Sequence, residues 1–244
     1  MTNAGSASGI EVVAFDGDDT LWHSESHFVD AHQQFCDLLD PYVDDPQLVD
    51  DQVVATERTN LALYGYGSKA FTLSLIETAI TLTEGRITAS EISAILELGK
   101  RLLDHPIELL DGVADVVDEL AATGRRLIVV TKGDLFHQEA KVAGSGLAER
   151  FDRVEIVSEK DVHTYRRVMA AAEVEPENFL MIGNSVRSDV LPVVELGGHA
   201  AHLPYTYTWE VELVPDANGA DHGYHELTSV REVPGLVASL SAAG

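Results

Sequence analysis

The chain has 244 residues, with 41 acidic side chains against 16 lysines and arginines and a formal net charge of −25. That balance excludes a nucleic-acid backbone as partner, because such binding draws on a basic footprint, and no apolar run has the length a membrane span needs. The size suits one domain with a large insertion or two modest ones, and a single cysteine, Cys36, excludes an intramolecular disulfide and fits a reducing, cytoplasmic compartment.

Residues 1–9, MTNAGSASG, have neither a basic flank nor an apolar stretch and read as a flexible leader rather than a signal peptide. Glu11–Phe15 is a short continuous apolar run closed by Asp-Gly, the pattern of a strand buried on both faces. Residues 24–106 show no convincing strand. Four helical stretches fill them, His27–Leu39, Gln47–Leu63, Lys69–Thr83 and Ala89–Leu103, separated by the turn-like breaks "DPYVDDP", "YGYGS" and "EGRIT". The spacing of Leu73, Ile76 and Ile80 puts them on one helix face. After this insertion strands and helices alternate. Apolar runs at Leu127–Val130, Val154–Val157, Phe179–Ile182 and, more weakly, His199–Leu203 are interleaved with helical patterns at Val113–Thr123, Asp134–Gly144 and His163–Ala172. Residues 216–223 read as a loop and Val233–Leu240 as a terminal helix. The predicted fold class is α/β: a Rossmann-like parallel sheet core over 10–23 and 107–244, with an inserted all-α domain over 24–106.

In an open parallel sheet, ligands bind outside the carboxyl ends of the strands. The residues there are Asp16 and Asp18 after the first run, Thr131 and Lys132 after the second, Lys160 shortly after the third, and Asn184, Ser185 and Asp189 after the fourth. Asp16 and Asp18 lie two apart and face the same way in extended chain, while Asp19 faces the other way. A paired carboxylate face calls for a cation, and an oxygen-rich set suits Mg²⁺. A calcium loop does not fit, since Leu21 stands where that loop needs glycine.

The segments "VVAFDGDDTLW", "VVT", "SEKD" and "MIGNSVRSD" resemble, in order, the four motifs of the haloacid dehalogenase-like (HAD) superfamily, and the helical insertion is similar to its C1 cap. The resemblance implies Asp16 as a nucleophile that forms an aspartyl-phosphate and Asp18 as the acid and then base, its main-chain carbonyl also binding the metal. Thr131 would hold a phosphoryl oxygen, and Lys160 would offset the charge of carboxylate and phosphate. Asp16, Asp18, Asn184 and Asp189 would form the Mg²⁺ site. Phosphatases with such a loop usually carry Asp where this chain has Asn184, so the metal gains no charge from that position. Lys132, Lys69 and Arg187 are candidate substrate contacts; Lys69 belongs to a Gly-rich turn, Tyr64–Phe71, that reads either as a tight turn or as a loop over the site.

Several residues also carry plainer readings. Thr131 could cap the helix that starts near Asp134, Asp19 reads as a solvent-side or turn residue, and Cys36 as a small buried apolar residue. His23, Ser24, Glu25 and His27 read as polar linker, and Tyr205–Glu210 as lining the pocket or packing on the cap. The expectation is a Mg²⁺-dependent phosphomonoester hydrolase with a small phosphorylated substrate, no nucleic-acid or membrane partner, and no reading of oligomeric state. A 2-haloacid dehalogenase, a phosphomutase and a weakly catalytic binding or regulatory protein are the alternatives.

Overall fold

A computed structural model describes residues 9–214 and 223–243. The leader over 1–8 and the loop over 216–222 lie outside the described residues. In chain order the elements are β1 (Val12–Phe15), α1 (Glu25–Leu39), α2 (Pro46–Tyr64), α3 (Ser68–Leu82), α4 (Ala89–Leu103), α5 (Val113–Ala122), β2 (Arg126–Lys132), α6 (Leu135–Gly144), β3 (Arg153–Val157) and α7 (Val162–Ala171). They continue with β4 (Phe179–Gly183), α8 (Leu191–Glu195), β5 (His199–His202), β6 (His225–Glu226) and the terminal helix α9 (Val233–Ala243).

The six strands form one parallel sheet in the order β3-β2-β1-β4-β5-β6. Alternate residues of each central strand feed opposite cores, which is why the runs are continuously apolar. Val13, Phe15, Leu127, Val129, Leu180 and Ile182 pack with α5, α6 and α9. Val12, Ala14, Ile128, Val130, Phe179 and Met181 pack with α7 and α8 on the other face.

Helices α1 to α4 enclose a separate core built on Phe35, Leu39, Leu75 and Ile95. Local sequence sets their ends. At α2, Asp45 accepts the N–H of Gln47 at 3.1 Å, Pro46 occupies the first turn, and Gly65 ends the helix at φ 71°. At α4, Thr88 and Glu91 form a reciprocal capping box. β6 and α8 were not read from the sequence. Two residues of strand and one short turn of helix carry too little periodicity to register. No helix among the described residues is long and apolar enough to cross a membrane.

Candidate active site

β1 lies at the centre, with β2 and β3 on one side and β4 to β6 on the other. Chain direction across the sheet therefore reverses at β1, and the crevice at its carboxyl end is where such sheets bind ligands. Asp16 is the first residue past β1; its N–H bonds the Ile182 carbonyl at 2.9 Å, so the backbone of β4 fixes it. The side chain is 6% exposed and receives a hydrogen bond from the Lys160 ammonium, itself 4% exposed. Lys160 also donates to Asp189 at 2.6 Å, so one buried cation bridges two buried acids.

Asp189 comes from a π-helical turn over Val186–Val190 and accepts the Ser185 N–H at 3.0 Å. Gly183 makes room for it: a methyl group there would overlap the Asp189 carboxyl. Thr131, near the end of β2, is 1% exposed and faces the cavity beside Gly17. It does not cap α6, because Asp134 does so by accepting the His137 N–H at 3.1 Å.

Asp18 is held by three donors: Trp22 Nε1 at 2.6 Å, Gln138 Nε2 at 2.9 Å, and Lys141 Nζ at 2.8 and 2.9 Å. Burial pushes its carboxyl up, but the Lys141 charge and the hydrogen bonds outweigh that and hold it below the ordinary value. For Asp16, burial dominates. Even against the opposing charge of Lys160 it is raised to about 7, with Asp189 and Asp18 adding to the rise. The two neighbouring acids are thus tuned in opposite directions.

Lys141 was not singled out from the sequence. The available signal was a lysine on α6 one turn after Gln138, on a face that must otherwise pack inward. It yields a pH prediction. Lys141→Met removes the charge that depresses Asp18, so the limb of the pH–rate profile belonging to Asp18 should move to higher pH. A profile unchanged in position would mean that Lys141 does not set the protonation of Asp18.

Asp19 is not a solvent-side residue. It is 5% exposed with φ 61°, and its carboxylate accepts the N–H groups of Ser24 at 2.9 Å and Glu25 at 3.0 Å. It therefore caps the start of α1, where Ser24 makes no side-chain cap. Burial, followed by the charge of Asp18, raises it to about 7.

The remaining candidates divide. Asn184 and Lys132 line the cavity. Lys132 donates to Ser188 at 2.8 Å and Glu212 at 2.5 Å, and its ammonium lies 4.2 Å from the Tyr66 ring centre. Lys69 and Arg187 are not among the lining residues. Lys69 pairs with Asp134 at 2.8 Å, and Arg187 donates to the Val211 carbonyl at 2.6 Å. The sequence reading missed Glu212, which accepts from Ser185 and Ser188 at 2.5 Å as well as from Lys132. The strand-to-site segment carrying it both lines the cavity and touches the helical cover: Trp209 donates to Glu57 at 3.4 Å and Glu210 pairs with Arg58 at 2.8 Å on α2.

The cavity, about 370 Å³, is floored by Asp16, Asp18 and Lys160 and roofed by Phe28, Val53 and Phe71 of α1 to α3. The donor set at its floor fits a hard divalent cation. Asp16, Asn184 and Asp189 offer oxygen only, and Asp16 Oδ2 makes just one long contact, from the Thr20 hydroxyl at 3.4 Å, among the described residues.

The site is thus a lysine-bridged carboxylate pair at the switch point of a parallel α/β core, under an inserted helical layer. The chain belongs to the haloacid dehalogenase-like hydrolases, whose family model matches residues 10–197. It is similar to a haloacid dehalogenase-like family hydrolase from Xanthomonas campestris, at 42% identity, TM-score 0.85, and coverage of 100% of this chain and 96% of that one. A predicted phosphoglycolate phosphatase from Haemophilus somnus shares the fold at 16% identity and TM-score 0.63, over 93% and 97% of the two chains. So does L-2-haloacid dehalogenase from Xanthobacter autotrophicus, at 17% identity and TM-score 0.62, over 94% and 98%. No curated protein matches the chain.

Proposed function

We propose that this hydrolase is a Mg²⁺-dependent phosphomonoesterase that acts on a small phosphorylated metabolite through an aspartyl-phosphate on Asp16. The observation that carries the reading is the Asp18 carboxylate. It sits two residues past the nucleophile, faces the cavity and is anchored by Trp22, Gln138 and Lys141. Displacing a halide needs no proton donor, whereas expelling an alkoxide does.

Lys160 and the Thr131 hydroxyl hold the phosphoryl oxygens while a carboxylate oxygen of Asp16 attacks phosphorus. The bond to the leaving oxygen breaks, and that oxygen takes a proton from Asp18. Asp18 takes up that proton from solvent as the substrate arrives, because the added phosphate charge pushes its carboxyl up against the pull of Lys141. Asp18, now ionised beside Lys141, takes a proton from water. The water oxygen bonds to phosphorus, the Asp16–phosphorus bond breaks, and inorganic phosphate leaves. A Mg²⁺ ion held by Asp16, Asn184, Asp189 and the Asp18 main-chain carbonyl would offset the repulsion between carboxylate and phosphate.

Asn184 favours one second reading, 2-haloacid dehalogenation, because a neutral side chain stands where a metal-binding acid would add charge. One paired assay separates the two. Phosphate release from p-nitrophenyl phosphate should require Mg²⁺, and 2-chloropropionate should release no halide. Metal-independent halide release without phosphatase activity would overturn the proposal in favour of the second reading.

A further inference from the structure

His32 and Cys36 lie one turn apart on α1, and Asp50 faces them from α2. Among the described residues, theirs is the group of three His, Cys, Asp or Glu side chains whose ligand atoms all lie within 4.8 Å of one another. Cys36 Sγ is 3.7 Å from His32 Nε2 and 3.8 Å from Asp50 Oδ1, and His32 Nε2 is 3.5 Å from Asp50 Oδ1. Cys36 is thus half-buried, packed against the helical core on one side and in contact with His32 and Asp50 on the other.

The two Cys36 contacts are within reach of weak thiol hydrogen bonds, whereas the His32–Asp50 approach is the unusual member of the group. A nitrogen–oxygen hydrogen bond runs about 2.7–3.2 Å, so the His32–Asp50 approach is too long for a good one. Zinc bonds of about 2.3 Å to sulfur and 2.0–2.2 Å to nitrogen and oxygen, set tetrahedrally, put their ligand atoms roughly 3.3–3.6 Å apart. The observed triangle is wider than that by a few tenths of an ångström, a difference that side-chain rotation closes.

We propose that His32, Cys36 and Asp50 form a zinc site that clasps α1 to α2. Thiolate and imidazole select zinc over the hard cation suited to the carboxylate floor. Three protein ligands leave a fourth position for water. The side chains of His32 and Asp50 are 29% and 46% exposed, so an ion reaches them from solvent. The clasp would brace the cavity roof, since α1 and α2 contribute Phe28 and Val53 to it and His32 itself lines the wall.

The test titrates the metal-free full chain with Co²⁺, excess Mg²⁺ being present to fill the carboxylate site. One equivalent should produce a thiolate-to-cobalt ultraviolet band, displaced by Zn²⁺ and absent in Cys36→Ser. Asp50→Asn, half-exposed, keeps the test decidable should Cys36→Ser fail to fold. It should weaken zinc by at least the ~10–100-fold that outer-shell changes already cost. Zinc should raise the Tm of the wild type and not that of Cys36→Ser. No thiolate band in the wild type, or zinc affinity equal in wild type and Asp50→Asn, would overturn the proposal.

Discussion

Asp16→Asn should lower kcat by a factor on the order of 10⁴ or more, the scale of loss when a covalent nucleophile is removed, while leaving the fold at least as stable. The amide is close in size to the carboxylate and still accepts a hydrogen bond from Lys160, so the packing around β1 persists, but it cannot form the acyl-phosphate. Stability runs the other way. Burial raises Asp16 to about 7, above its ordinary value, so its ionisation costs the folded state increasingly as pH rises through that range. Asparagine removes that cost. Kinetics and thermal unfolding at neutral pH check both halves. Lost activity with a Tm held or raised supports the nucleophile. Retained activity removes it from the mechanism, and a large fall in Tm would mean that the variant failed structurally.

Lys160→Met should fail in both respects. It strips the shared cation from Asp16 and Asp189, two side chains that are 6% and 1% exposed. Removing one partner from a buried ion pair costs about 3–5 kcal/mol. In a chain of this size each kcal/mol lowers Tm by roughly 2–4 °C. The pH dependence identifies the cause. Without the opposing charge of Lys160 the Asp16 carboxyl is pushed further above about 7, so the penalty grows as pH rises through that value and shrinks towards acid pH, where Asp16 is protonated in both proteins. Unfolding midpoints of variant and wild type should converge towards acid pH. A gap independent of pH would point to lost packing instead. Turnover should be abolished, since the proposed mechanism uses Lys160 as the cation that holds the phosphoryl oxygens.

Most of the core was legible because each central strand is buried on both faces. That produces short unbroken apolar runs, each ending in a polar residue at the edge that binds ligand. The helical insertion was legible from its breaks, with Asp45-Pro46, Gly65 and Thr88 through Glu91 acting as the stops and starts that the structure shows. The placement of Asp16, Thr131, Lys160 and Asp189 at one edge followed from strand ends alone.

The partners of these residues were not legible, because they depend on packing between distant segments. Lys141 reaches Asp18 across 123 positions, and Glu212 reaches Lys132 across 80. Asp19 is a turn residue as one reading had it, but not a solvent-side one: the chain turns there at φ 61° and the side chain swings back to cap α1, which strand alternation carried past the end of β1 does not show. Lys69 was a candidate because its Gly-rich turn could reach over the site; in the structure it pairs with Asp134, the N-cap of α6, a partner that no local pattern reveals. Cys36 does pack against the helical core, but its contact with Asp50, on the next helix, is invisible to any local pattern.

Asp16 as the site of a phosphorylated intermediate is the centre of the account. The most direct test quenches the enzyme during turnover of p-nitrophenyl phosphate with Mg²⁺, reduces acyl-phosphate with borohydride, and maps the modified peptide by mass spectrometry. The modification should lie on Asp16, appear only with substrate, and be absent from Asp16→Asn. Phosphate release with no modified residue, or with the label on any other side chain, would contradict an intermediate on Asp16.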